Sequence, residues 1–253
     1  MMKKTTSWGE VANWYEDFLK GEGTYQKDLI LPNLKRLMDI KKGESVLDLA
    51  CGHGFFSREF HKLGAKTTGV DISQKLIEIA RQSGPKDIDY QIAPANKISF
   101  IKSGSMDKAA MILAVQNIDN LNEVFTECFR VLKSSGKLLL VMSHPVFRVL
   151  KRSSWGWAEQ EKIQYRRVDG YLSESKEKIQ MFPGDKPEEY TLSFHRPLQY
   201  YFKILRNAGF FVSRLEEWES NKKSQPGPRA KAEDIARKEI PLFLFLEAIK
   251  YEK

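Results

Sequence analysis

The apolar residues of this chain follow two alternating patterns between residues 41 and 143. Short apolar runs such as ESVLDLA alternate with segments whose apolar residues recur every three or four positions, as in LNEVFTECFRVLKSSG. The first pattern is typical of buried strands and the second of amphipathic helices. Strands and helices that alternate at this spacing predict a parallel sheet covered by helices on both faces.

Five strands and three helices are predicted in this part of the chain. The strands are, in order, ESVLDLA, KTTGVDI, IDYQIA, KAAMILAV and KLLLVMS. The helices are FFSREFHKLG, SQKLIEIARQSG and LNEVFTECFRVLKSSG. Ser73 is the predicted N-cap of the second helix and Gly84 its terminator, because a serine hydroxyl accepts from free helix N–H groups and glycine ends helices.

The remaining segments flank this core. Residues 1–40 carry aromatic and charged residues at helical spacing and predict an N-terminal helical cap. The alternation is absent over residues 144–195 and resumes over 196–253. This last part predicts a helix, RPLQYYFKILRNAGF, and two strands, VSRLEEW and PLFLFLEAI. The polar excursion 219–239 separates the two strands. We expect one α/β domain with an insertion after the fifth strand.

The string VLDLACGHGFFS is the most informative turn in the chain. An apolar strand contains Asp48, and Gly52 and Gly54 lie where the strand turns into the next helix. Glycines let the backbone adopt positive φ and approach a ligand closely. Asp71 ends the second strand, where a carboxylate can accept hydrogen bonds from both hydroxyls of a ribose. Together these features predict a site for a nucleoside-bearing cofactor.

The type of cofactor follows from the charge at this turn. A dinucleotide fingerprint requires a third glycine, and Ser57 stands at that position. Asp48 lies close to the place where a pyrophosphate would bind and would repel it. The same carboxylate suits a ligand with an ammonium or sulfonium group, and S-adenosylmethionine has both. A nicotinamide oxidoreductase is the competing enzyme class.

Asp48-Leu49-Ala50-Cys51-Gly52-His53-Gly54, with Asp71 after the second strand, resembles the class I S-adenosylmethionine-dependent methyltransferase family. The resemblance covers residues 41–143 and continues in topology to Ile249. It implies a Rossmann-like α/β fold with a seven-stranded sheet of order 3-2-1-4-5-7-6. It also implies S-adenosyl-L-methionine as cofactor, S-adenosyl-L-homocysteine as product, and methyl transfer to an O or N nucleophile of a small-molecule acceptor.

The cofactor-binding residues expected from the turn and the resemblance lie on several loops. They are Tyr25, Asp48, Ala50, Gly52, Gly54, Phe55, Asp71, Ile72, Ala95, Asn96 and Leu113. One departure from the family pattern is Pro94, which stands where an adenine-contacting Asp or Asn usually falls. We therefore expect the backbone of Ala95 or the side chain of Asn96 to serve instead.

The acceptor side is harder to read from the sequence. His144 follows the fifth strand and His195 begins the return from the insertion, so either is a candidate general base. A purely structural role is the alternative for both. The candidate substrate-binding residues are Tyr15, Gln116, Asn117, Arg148 and Trp155. The aromatic and arginine residues of the insertion suit a small, anionic, aromatic substrate, although they could also contact an RNA base.

Composition narrows the possible partners and the compartment. The chain has 41 Lys and Arg against 33 Asp and Glu, giving +8, but the excess is spread along the sequence without long runs of like charge. Nucleic acid is therefore not the expected partner. Two cysteines are too few for a disulfide framework or a four-cysteine zinc site, so we expect no bound metal and a reducing, cytoplasmic setting. We expect no secretory signal and no membrane span.

Three alternatives to a small-molecule methyltransferase remain open from the sequence. An RNA methyltransferase, a nicotinamide oxidoreductase and a cofactor-binding relative without activity would all share parts of this pattern. The chain lacks the N/D-P-P-Y string of amino-methylating nucleic-acid enzymes and the Pro-Cys nucleophile of cytosine-C5 enzymes. A monomer and a homodimer are equally compatible with the sequence.

Overall fold

The computed structural model describes residues 8, 21, 23–180 and 190–251. Its strands are β1 (Ser45–Leu49), β2 (Lys66–Asp71), β3 (Asp89–Ile92), β4 (Met106–Ile112), β5 (Leu132–Ser143), β6 (Ser153–Ala158), β7 (Ile163–Val168), β8 (Ser175–Gln180), β9 (Tyr190–His195), β10 (Phe210–Trp218) and β11 (Phe243–Lys250). Its α-helices are α1 (Leu31–Met38), α2 (Phe55–Lys62), α3 (Gln74–Ser83), α4 (Leu121–Val131), α5 (Leu198–Asn207) and α6 (Ala230–Glu239). A π-helical turn, Gln26–Ile30, precedes α1, and Val115–Asn117 forms a 3-10 turn.

Seven of these strands form the central sheet, in the order β3-β2-β1-β4-β5-β11-β10. The strands from β3 to β5 pair in parallel, whereas β11 runs antiparallel to both β5 and β10. Numbered within the sheet, the order is 3-2-1-4-5-7-6, so the predicted topology and the reversed final hairpin are confirmed. The carboxyl ends of β1, β2 and β4 meet at one edge, where α/β sheets bind ligands.

Helices cover both faces of this sheet, which explains why its strands read as continuous apolar runs. In β5, Leu138, Leu140 and Met142 face a core that includes residues of α4 and α5. Leu139 and Val141 face the opposite core, which contains α1 and α2. Both sides of the strand are therefore buried, as expected for a parallel sheet.

The predicted helix caps are found at α3, but the predicted end of α4 is wrong. Ser73 accepts a hydrogen bond from the N–H of Leu76 at the start of α3. Helix α4 ends at Val131 rather than at Gly136, because Leu132 already pairs with Met106 of β4. Ser135 lies in the irregular first part of β5, where the pairing with β4 shifts register, and has a φ of 60°, a left-handed conformation.

The segments that the sequence left without regular structure contain additional elements. Residues 144–195 hold two antiparallel hairpins, β6 with β7 and β8 with β9. The excursion 219–239 contains α6, which packs against β7. Of the predicted N-terminal cap, α1 and the turn before it are found, and most of residues 1–22 lie outside the described part. None of the helices in the described residues is long and apolar enough to cross a membrane.

Candidate active site

A cavity of about 290 Å³ opens at the carboxyl edge of β1, β2 and β4. The loops after these strands, together with the loop after β3, form its walls. Most of the predicted cofactor-binding residues line it, namely Asp48, Ala50, Gly52, Phe55, Asp71, Ile72, Ala95, Asn96 and Leu113. The fold therefore brings residues from four separate loops to the place where the sequence expected a ligand.

The glycines of the first turn serve two different purposes. Gly52 has a φ of 57°, and a Cβ built there would meet nothing within 4 Å. Gly54 has a φ of 76°, and its Cβ would lie 2.3 Å from the Tyr90 hydroxyl oxygen. Gly52 therefore leaves open space for a ligand, whereas Gly54 allows Tyr90 to pack against the turn. Gly54 is not among the residues that line the cavity.

Asp71 joins the loops that follow β1 and β2. Its Oδ2 accepts from the backbone N–H of Gly52 at 2.9 Å, and its Oδ1 accepts from the N–H of Ser73 at 2.8 Å. Burial raises the pKa of this carboxyl, and the backbone donors oppose the shift. Each carboxylate oxygen has a second lone pair, so Asp71 can still accept hydrogen bonds from a ligand.

Asp48 is almost fully buried at the base of the cavity. The hydroxyl of Ser57 donates to its Oδ2 at 2.6 Å. Burial raises the pKa of Asp48 to about 7, the hydrogen bond from Ser57 opposes the shift, and the charge of Asp71 adds to it. No Lys or Arg is among the described residues that line this cavity. A cationic ligand would supply the positive charge that the two carboxylates lack.

Cys51 lies in the same turn but is not poised for chemistry. Burial raises the pKa of its thiol well above the usual value, and the negative charges of Asp48 and Asp71 add to the effect. A thiol is nucleophilic mainly as the thiolate, which this environment disfavours. Among the described residues, no group of His, Cys, Asp and Glu could hold a metal ion.

A second cavity, of about 420 Å³, adjoins the first. The two share Trp8, Leu113, Asn117 and Phe194 as walls. Of the predicted acceptor-side residues, Gln116, Asn117, Arg148 and His195 line the second cavity. Trp155 does not line it but stacks with the Arg148 guanidinium at 5.6 Å. Tyr15 lies outside the described residues.

The structure separates the two candidate histidines. His144 is 2% exposed and lines neither cavity. Its Nδ1 accepts from the N–H of Val146, so Nε2 carries the proton that is shared with Glu217 at 2.7 Å. Burial lowers the pKa of this imidazole, and Glu217 opposes the shift. Since both ring nitrogens are engaged, this geometry is at odds with the expected base role of His144.

His195 lies at the second cavity with one ring nitrogen in use. Its Nε2 lies 2.7 Å from the carbonyl oxygen of Tyr171. A carbonyl can only accept, so Nε2 is the protonated nitrogen and Nδ1 of the neutral ring keeps its lone pair. The position of His195 is thus compatible with the base role predicted for it.

Two residues depart from the sequence-based prediction in opposite ways: Tyr25 was predicted at the site but does not line it, whereas Arg196 lines it but was not predicted. The Tyr25 hydroxyl hydrogen-bonds Ser220 at 2.8 Å and its ring packs edge-on against Phe243, away from the lining of both cavities. Arg196 was not singled out from the sequence, yet it is 3% exposed and lines the second cavity. Its position beside His195 in SFHRPL is the only sequence signal that could have indicated it.

Comparisons with known proteins agree with this geometry. Residues 47–140 match the family model described as "Methyltransferase domain". A ubiquinone biosynthesis O-methyltransferase from Xanthomonas oryzae pv. oryzae is 30% identical over 101 residues, which is 39% of this chain and 42% of that protein. A demethylmenaquinone methyltransferase from Tropheryma whipplei is 30% identical over 111 residues, 44% of this chain and 46% of that protein. The chain spans less than half the length of these curated relatives.

A solved structure extends the match to most of the chain. The crystal structure of an S-adenosylmethionine-dependent methyltransferase from Mesorhizobium loti superposes with a TM-score of 0.68 and 25% identity, over 87% of this chain and 96% of that one. The matched residues 47–140 include the turn that lines the first cavity, and they supply the parallel strands β2 and β4 and most of β1. Residues 47–140 thus match a methyltransferase domain, and the fold is similar to that of a solved S-adenosylmethionine-dependent methyltransferase.

Proposed function

We propose that the protein is an enzyme that transfers a methyl group from S-adenosylmethionine to an O or N nucleophile of a small-molecule acceptor. The observation that carries the proposal is the first cavity, which is lined by the buried carboxylates of Asp48 and Asp71 and opens over Gly52. The second cavity, which shares a wall with the first, is the proposed acceptor site. Proximity of two such sites is the main requirement of this chemistry.

The residues of the first cavity fit this cofactor. Asp71 would hold the ribose hydroxyls, and Asp48 would lie near the cationic part of the ligand. At the adenine end, Asn96 donates its amide to Glu123, which leaves its carbonyl oxygen and the nearby backbone of Ala95 to contact the base. The bound cofactor supplies a methyl group already activated on a sulfonium, so the protein needs little covalent chemistry of its own.

The chain's own residues then position the acceptor and remove a proton. Phe194 and Leu113, which line both cavities, provide an apolar wall that limits access of water to the reacting groups. His195, with its Nε2 fixed by the Tyr171 carbonyl, would take a proton on Nδ1 from an O–H or N–H acceptor. Of the two candidate bases named from the sequence, we therefore propose His195 rather than His144.

The test begins with calorimetry on the purified protein with S-adenosylhomocysteine and with NAD. We expect the first to bind and the second not to bind, while the reverse would indicate an oxidoreductase. Transfer of labelled methyl from S-adenosylmethionine is then measured with a small-molecule extract and with total RNA. Binding without transfer to any fraction would contradict activity and support a non-catalytic relative.

The insertion favours a small molecule over RNA. The guanidinium groups of Arg148 and Arg166 lie over the Trp155 ring, at 5.6 and 5.2 Å from its centroid, and would compete with a nucleic-acid base for stacking on it. An RNA substrate would also give an affinity that falls steeply as salt is raised. Methyl transfer to RNA with such a salt dependence would refute the small-molecule assignment.

A further inference from the structure

The charged residues around the two adjoining cavities are segregated by sign. The first is lined by Asp48, Asp71 and Asp119, without Lys or Arg among its described residues. The second is lined by Arg148 and Arg196, and no Asp or Glu appears in the described part of its lining. A cation is therefore favoured on one side of the shared wall and an anion on the other.

Both arginines keep a hydrogen-bond donor that nothing in the described structure uses. Arg196 donates through Nη2 to the carbonyls of Ile118, at 2.9 Å, and Asp119, at 2.5 Å, while its Nη1 is buried without a partner. The Nε of Arg148 is also buried without a partner. Most buried polar groups in proteins are hydrogen-bonded, and each exception requires an explanation.

Neither guanidinium has a carboxylate within ion-pair distance among the described residues. Arg148 stacks on Trp155, and Arg196 stacks on Phe194 at 4.7 Å. Burial lowers the pKa of Arg148 to about 10, and the charge of Arg166 adds to the shift. Arg148 nevertheless remains charged at neutral pH. Two charged, aromatic-supported guanidinium groups without counter-ions are typical of sites that bind carboxylate or phosphate.

The other walls of the second cavity indicate the rest of the ligand. Pro145, Leu150, Ile179 and Phe194 are apolar. Gln116 adds a buried amide oxygen without a partner, which can accept from a hydroxyl or amine. The lining therefore suits a molecule with an apolar body, one anionic end and a separate donor group.

We propose that the methyl acceptor is a small organic acid with an apolar or aromatic body, whose oxyanion binds between Arg148 and Arg196. This inference rests on the proposed function, because it assumes that the second cavity holds the acceptor. Carboxylates and phosphate monoesters present the same planar or forked oxygens to a guanidinium. The acid group anchors the molecule and leaves its hydroxyl or amine to face the first cavity.

The experiment measures binding of benzoate, phenyl phosphate and benzamide by calorimetry to protein saturated with S-adenosylhomocysteine. We expect at least one acid to bind ten-fold or more tightly than benzamide, which has the same ring but no charge. Arg148→Gln and Arg196→Gln should each lose that preference. Arg167→Gln is the matched control, since Arg167 is exposed, pairs with Asp169 at 2.7 Å and lines neither cavity. The stronger of the two acids identifies the anion class.

Arg196 also holds two backbone carbonyls, so its glutamine variant could fold poorly. Arg196→Lys keeps the charge, and Arg148→Gln tests the site without touching those carbonyls. Three outcomes would overturn the proposal. The acids and benzamide could bind equally tightly, none of the three probes could bind, or the preference for an acid could survive in both glutamine variants. If S-adenosylhomocysteine does not bind to the protein, the proposed function is refuted instead. A preference for an acid over benzamide, measured in the absence of S-adenosylhomocysteine, would still support the anion site in the second cavity.

Discussion

The Asp48→Asn variant tests the electrostatics of the first cavity most directly. Burial raises the pKa of Asp48 from 3.8 to about 7, so the folded protein holds a proton that the unfolded chain releases at lower pH. Ionisation of this group therefore favours the unfolded state. Stability from this source is highest below pH 4, falls as pH rises, and levels off above pH 7.

The magnitude follows from the two pKa values. Each pKa unit corresponds to about 1.4 kcal/mol, so the cost of the Asp48 charge to folding is about 2 kcal/mol at pH 5 and about 4 kcal/mol at pH 8. Asparagine has nearly the same shape, carries no charge, and keeps an oxygen that can accept from Ser57. We expect the Asp48→Asn protein to be more stable than the parent, with a gain that grows from pH 5 to pH 8.

The assay is urea unfolding of both proteins at pH 5 and pH 8, with binding of S-adenosylmethionine measured on the same samples. Asp107→Asn is the control. Although burial acts in the opposite direction, hydrogen bonds from Lys133 and the Ser45 N–H hold the pKa of Asp107 below its usual value. That variant should lose stability instead. The reasoning would be refuted if Asp48→Asn did not stabilise the protein, or stabilised it equally at pH 5 and pH 8. Unchanged affinity for S-adenosylmethionine in this variant would also refute it.

Three further tests probe other parts of the site. Asp71→Ala should weaken S-adenosylhomocysteine binding by about 1–3 kcal/mol in calorimetry, because charge-assisted hydrogen bonds are lost, and unchanged affinity would remove Asp71 from the site. Gly54→Ala should destabilise the protein more than Gly104→Ala in thermal unfolding, because both have positive φ but only the first meets an atom at 2.3 Å. His195→Gln should lower kcat by about 10²-fold or more and leave cofactor affinity unchanged. His144→Gln should chiefly lower Tm. A large loss of kcat in His144→Gln but not in His195→Gln would identify His144 as the base instead.

The sheet and the cofactor loops could be predicted because their signals are local and strong. Strands buried on both faces read as uninterrupted apolar runs, and the turn containing Gly52 and Gly54 requires a conformation that few residues adopt. Asp71 could be placed because it ends the short segment KTTGVD, 23 residues after Asp48, at the spacing expected for the second strand. In each case the residues that carry the signal are adjacent in sequence.

The hairpins of the insertion could not be predicted for the opposite reason. In β7, Ile163 is 52% exposed and Tyr165 is 49% exposed, so its apolar residues lie on the outer side and no core pattern forms. Helix α6 has a single buried residue, Ala236, and therefore gives little amphipathic signal. Such elements depend on contacts with distant parts of the chain, which one sequence does not display.

The position of His144 away from the cavity has a similar explanation. The sequence puts His144 just beyond β5, where a side chain is expected to project towards the acceptor. In the structure, its N–H donates to the carbonyl of Leu242, which extends the pairing with the neighbouring strand by one residue. The imidazole then faces Glu217 of β10 instead of the cavity. One extra step of strand pairing is invisible in sequence but decides which side chain reaches the site.

The charge of the whole chain is a poor guide to what it binds. The net charge is +8, yet the first cavity is lined by carboxylates and by no Lys or Arg among its described residues. Among the described residues, all Lys and Arg except Lys108, Arg196 and Lys250 are at least partly exposed, and salt screens exposed charges beyond about 8–10 Å. Asp48 and Asp71 are buried and are screened much less. A ligand therefore experiences the field of the cavity that it enters more strongly than the field of the basic surface.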